Sequence, residues 1–149
     1  MKVSDFVNLE KIRKLTGIDI QDVEIILQKK VYNCARPIGF ENCVTIRKGD
    51  IWEEKVCGLI KLTGIKIDED FWKTVLNKVG DKGIKLIIAH ELIEYAFEKK
   101  GLLENSPELI HKSHDLAIKY QCEIAEIPLN ECVKIYKELE KIGKEVKCI

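Results

Sequence analysis

The sequence predicts a mainly α protein, a compact helical domain with at most a small β element in its N-terminal half. Three observations carry that expectation. Apolar residues recur at three- and four-residue steps through most of the 149 positions. Capping residues and glycines punctuate those stretches where helices would start and stop. Only Cys43-Val-Thr-Ile-Arg47, within residues 41–48, reads as a strand.

Asn8 is placed to cap a helix ending at Thr16, with Leu9, Ile12 and Leu15 on one face and Gly17 after it. Asp19 or Asp22 would begin a second helix carrying Val23, Ile26 and Leu27. Pro37, Gly39 and Gly49 interrupt residues 31–50. Asp50 is read as the cap of a helix through Leu62, stopped by Gly64. Asp68 would cap another through Val79, with Phe71, Trp72, Val75 and Leu76 inward. Lys14-Leu-Thr-Gly-Ile18 recurs as Lys61-Leu-Thr-Gly-Ile65, which reads as two similar helix stops. Residues 83–100 form a long helix stopped by Gly101. Ser106-Pro107-Glu108 starts the next, running to about residue 125. Pro128-Leu-Asn opens a third, with Val133, Tyr136, Leu139 and Ile142 along one side and Gly143 as its stop. Nothing linker-like divides the chain, so 1–149 is read as one domain: 1–80 as short helices plus a strand, 83–149 as a three-helix segment.

The composition, 46% hydrophobic and 34% charged, belongs to a folded chain. Lys plus Arg and Asp plus Glu balance at 25 each, so bulk charge favours neither nucleic acid nor an anionic membrane as partner. No apolar run approaches spanning length and no signal core opens the chain, which makes the cytoplasm the expected location. Richness in Lys, Glu and Ile resembles that of proteins from hot environments. The six cysteines (34, 43, 57, 122, 132, 148) follow no Cys-x-x-Cys spacing and are read mostly as free thiols of a reducing compartment.

Function is concentrated in the 83–100 helix. His90 and Glu94 are four residues apart, just over one turn, and project from nearly the same side. An imidazole nitrogen and a carboxylate so placed can bind one Zn²⁺, with Fe or Mn as alternatives. Glu91, between them, could act as base on a water at the ion. The chain has only three histidines, at 90, 111 and 114. On the helix after Ser106, His114 shares its face with Ile110, Ala117, Ile118, Gln121 and Ala125, and so points inward. His111 lies about 60° round, nearer the edge, and is the alternative ligand. Paired antiparallel, the two helices would bring His114 to His90 and Glu94, giving three ligands and one open position. The plainer possibility is that the histidines serve only packing.

At His90-Glu91-Leu92-Ile93-Glu94 the chain resembles minimal zincin-like metallopeptidases. It is more closely similar to small His-Glu-x-x-Glu proteins of phage and prokaryotic origin, in which a later helix carries a further His followed by a small residue three positions on, as His114-Asp-Leu-Ala117 does here. The resemblance covers about residues 84–125. It implies metal binding by His90, Glu94 and His114, Glu91 as general base, and a hydrolase whose substrate is unknown, with peptide the leading class. Glu94 stands where the usual zincin motif has His. Two other classes compete. Glu108-x-x-His111 is the step found in di-metal carboxylate bundles. A non-enzymatic binding module could instead combine an N-terminal helix-turn-helix with a structural metal.

Overall fold

The computed structural model describes residues 1–149. After a short 3-10 turn, the order is α1 (Leu9–Thr16), β1 (Glu24–Gln28), β2 (Ala35–Lys48), β3 (Trp52–Asp68), α2 (Glu69–Lys78), α3 (Asp81–Leu103), α4 (Pro107–His111), α5 (Ser113–Ile124) and α6 (Leu129–Val146). The strands form one mixed sheet in the order β1-β3-β2, β1 parallel and β2 antiparallel to the central β3. The expectation of a mainly α chain with at most a small β element is therefore wrong. Two predicted helices are strands: the one carrying Val23, Ile26 and Leu27 is β1, and the one from Asp50 to Leu62 is β3.

The physical reason lies in β3. Against β2 this strand has two register irregularities, between Ile38 and Gly39 and between Phe40 and Glu41, and each changes which alternate residues face the core, so no clean alternation survives in the sequence. Val56, Leu59, Leu62, Ile65 and Ile67 are all buried. Their β-branched members, with Ile60 and Thr63, suit a pleated surface better than a helix. Gly64 is no helix stop. A Cβ there would lie 3.1 Å from the Glu24 carbonyl oxygen and 3.2 Å from Ile38 Cδ1, so it is the place where β1 and β2 close in.

The helical expectations hold elsewhere, with shifted ends. Asn8 caps α1, its side chain accepting from the Glu10 amide, and Gly17 closes it at φ 74°. Asp68 caps α2, accepting from the amides of Asp70 and Phe71 at 3.0 Å each. Ser106 caps α4 by accepting from the Leu109 amide. The helix predicted from Ser106 to about 125 is broken at Lys112 into α4 and α5. Gly101 and Gly143 do not stop their helices. Gly101 lies inside α3, where its missing Cβ admits Ile110 and the Ser106 carbonyl.

α3 is the axis of the fold. It touches all five other α-helices and strands β2 and β3. Apolar over most of its circumference, it buries Ile84, Leu86, Ile88, Leu92 and Ile93 completely or nearly so. His90, Glu91, Glu94 and Glu98 lie along one flank of it, which fixes where their chemistry can sit. No helix is long and apolar enough to cross a membrane.

The cysteines are not free thiols. Three disulfides join Cys34 to Cys148, Cys43 to Cys57 and Cys122 to Cys132. Cys43 and Cys57 are directly opposed in the β2–β3 register. Cys122–Cys132 ties α5 to α6, and Cys34–Cys148 ties the chain after α6 to the loop before β2. Six scattered cysteines allow fifteen pairings, so spacing alone does not reveal this framework.

Candidate metal centre

α3 and α5 place His90, Glu94 and His114 together, with ligand atoms all within 4.8 Å of one another. Glu94 Oε2 is the hinge of the cluster, 3.2 Å from His90 Nε2 and 3.3 Å from His114 Nδ1. Tetrahedral ligands about 2.0–2.1 Å from zinc stand about 3.3–3.4 Å apart. The two distances to Glu94 match that edge. The two imidazoles meet edge to face, centroids 5.0 Å apart. Two nitrogens and one carboxylate oxygen form a donor set that suits zinc, with a fourth position left for water or substrate.

The residues around the cluster prepare it. Gln121, buried in α5, holds its Oε1 at 2.8 Å from His90 Nδ1. A carboxamide oxygen only accepts, so this contact places a proton on Nδ1 and turns Nε2 toward Glu94 as the ligating atom. Tyr136 of α6 stacks on His90, centroids 6.4 Å apart at 24°. Both Gln121 and Tyr136 escape a reading that searches only for ligands. The signal for Gln121 was its presence on the otherwise apolar inward face beside His114, where a buried polar side chain requires a partner.

Electrostatics follow from this packing. Burial is the largest influence on His90 and pulls its pKa down, but Glu94, the Glu91 charge and Gln121 together raise it above the ordinary value. Burial likewise works to raise Glu94, yet hydrogen bonds and charge from His90 and then His114 hold it below its usual value. The opposed shifts of His90 and Glu94 favour an ion pair between these two side chains, and a cation that enters competes with the proton on His90. Glu91 is different. Burial pushes its carboxyl from 4.5 up to about 8, with Glu94 and Glu98 adding to the rise and His90 opposing it. Glu98, one turn beyond Glu94, is raised to about 7, chiefly by burial and then by Glu94.

Glu91 is outside the ligand cluster and lines, with His90, a cavity of about 500 Å³. That volume lies within the range of small-molecule sites. The alternative ligand His111 is not in the cluster. It faces β3 instead, its Nε2 3.2 Å from Glu54 Oε1. Glu108 pairs with Lys112 at 2.6 Å on the surface, which removes the Glu-x-x-His step that a di-metal bundle requires. Comparison with protein-family models, curated proteins and solved structures found nothing that matches this chain.

Proposed function

We propose that this chain is a zinc-dependent hydrolase of minimal metallopeptidase type, with iron or manganese as alternative ions. The observation that carries the reading is a division of labour on one helix. His90 and Glu94 converge with His114, while Glu91, between them in sequence, faces the adjoining cavity. A bound zinc would polarise a carbonyl and acidify a water. Glu91 takes the proton from the attacking water and returns it to the leaving nitrogen. Gln121 holds His90 in its ligating tautomer.

The test has two arms. Elemental analysis of protein purified without an affinity tag should find one zinc per chain. On a peptide and amidase panel, Glu91→Gln should abolish turnover and keep the metal, whereas His114→Ala should lose metal. Zinc without turnover on a broad panel would leave a structural or storage metal site. Loss of metal in Glu91→Gln would make Glu91 a ligand and defeat the assignment.

For location, we propose a setting in which disulfides persist, in place of the reducing cytoplasm that the sequence suggested. Secreted or periplasmic surroundings satisfy this, as does the interior of a hyperthermophile, in keeping with the Lys-, Glu- and Ile-rich composition. Thiol titration of freshly lysed source cells should find the cysteines blocked, and free thiols there would refute it.

A further inference from the structure

The cavity beside Glu91 has two chemically distinct ends. Near the metal cluster its wall is His90, Glu91, Gln121 and Tyr136, and its middle is apolar, with Phe71, Leu86, Ile87 and Leu139. At the far end stand Lys144 and Lys147, both exposed. Their acidic neighbour Glu145 is turned away, paired with Lys78 at 2.8 Å. Tyr136, Leu139, Glu140, Gly143 and Lys144 fall at i, i+3, i+4, i+7 and i+8 of α6, and Lys147 follows as the residue that closes the helix, so one stripe runs along the whole length. Gly143 keeps that stripe open. A Cβ there would meet Cys34 Sγ at 3.4 Å and Phe71 at 3.9 Å, a space in which a methyl fits and a larger side chain would protrude into the cavity.

From this gradient we infer that the cavity binds the carboxy-terminal end of a peptide, apolar side chains in its middle and the free carboxylate at Lys144 and Lys147. The inference rests on the hydrolase reading for its orientation: the scissile bond lies by Glu91. Eight helical positions separate Tyr136 from Lys144, about 12 Å of axis, and Lys147 stands just past the helix end. An extended peptide covers about 3.3–3.6 Å per residue. Allowing for the reach of the lysine side chains, two to four residues fill the distance, so the released fragment is a short carboxy-terminal peptide. Glu140, one turn before Lys144, repels a carboxylate placed halfway and favours the lysine end.

The experiment measures binding of fluorescein-labelled Ala-Leu-Leu with a free carboxylate, the same peptide as its C-terminal amide, and decanoate as an acyl competitor. It uses the disulfide-bonded full chain, loaded with zinc, and the His114→Ala protein. The free acid should bind about fivefold to tenfold tighter than the amide, the range for two exposed charge pairs. Lys144→Ala with Lys147→Ala should erase that preference at unchanged zinc content. Gly143→Leu should weaken both peptides, and circular dichroism shows whether it folds; the lysine pair stands as the independent arm. Equal binding of acid and amide overturns the inference, as does decanoate displacing both peptides more tightly than either binds. Acid preference persisting in His114→Ala without any hydrolysis by the zinc form keeps the pocket and defeats the hydrolase. Hydrolysis without acid preference does the reverse.

Discussion

Glu91→Gln is the substitution in which stability and chemistry pull in opposite directions. The half-buried carboxyl is raised from 4.5 to about 8, mainly by burial. Between those values the folded chain keeps its proton while the unfolded chain has lost it, so stability falls as pH rises through the window. At about 1.4 kcal/mol for each tenfold change in proton concentration, the ceiling is about 5 kcal/mol. Partial exposure and local relaxation reduce the expected loss to about 2–3 kcal/mol. Glutamine has nearly the same shape and no proton to lose. In guanidinium titrations with a chelator at pH 5, 7 and 9, the gap between Glu91→Gln and wild type should therefore widen with pH in the variant's favour. Taking the difference cancels the titration of groups common to both proteins. With zinc present the cation's field draws the proton from Glu91, and the widening should largely vanish. Parallel stability curves for the two proteins from pH 5 to 9 in chelator would show that Glu91 is well solvated, and the poised-base argument would fail with them.

His114→Ala should abolish stoichiometric zinc in elemental analysis, while His111→Ala, which only loosens the contact with Glu54, should leave it intact. Gln121→Leu removes the partner of His90 Nδ1 and should weaken zinc binding by about 10- to 100-fold in competition with a chromophoric chelator. Glu98→Gln should stabilise the protein by about 1–2 kcal/mol at pH 8 and by nothing at pH 4, since burial raises that carboxyl to about 7; equal stability at pH 8 would refute the assignment. Replacing Cys34 and Cys148 together by Ser opens a loop of 114 residues and should cost about 5 kcal/mol, against about 3 kcal/mol for Cys43 and Cys57, whose separation is 14; equal shifts in denaturation midpoint would count against loop closure as the cause.

What the sequence disclosed about this protein tracks the range of the interactions involved. Caps act over two or three residues, and Asn8, Asp68 and Ser106 were legible as such. The His90–Glu94 pair was legible because one helix fixes its geometry; His114 does reach Glu94, but from an exposed position at the rim of α5 and not from the inward face the sequence suggested. β1 and β3 were not legible. Their pairing joins Glu24 to Gly64, and no local window contains that information. The repeated Lys-Leu-Thr-Gly-Ile makes the point sharply. Its first copy ends α1 with Gly17 at φ 74°, and its second runs through the middle of β3. Identical neighbours adopt different structures because only the second copy has strands on both sides. Tyr136 and two of the disulfides were hidden for the same reason, since the packing of α6 brings them into place, and Cys43–Cys57 depends on the β2–β3 pairing.

The placement of the crosslinks bears on why such a site is sustainable. His90, Glu91, Glu94 and Glu98 crowd one flank of a helix otherwise committed to the core, and two of the three carboxyls are held far above their ordinary values. Those two carboxyls oppose folding once the pH passes their unfolded values, whereas His90 and Glu94 compensate each other. The helices that close over it, α5 and α6, carry His114, Gln121 and Tyr136, and it is these that Cys122–Cys132 and Cys34–Cys148 secure. α3 needs no such fastening, because burial of its apolar circumference already fixes it. The covalent constraint thus falls on the helices that wall the site, and α3 supplies the two ligands whose spacing one helical turn fixes. That arrangement is expected where function sets charge into a core and stability has to be recovered at the periphery of the same site.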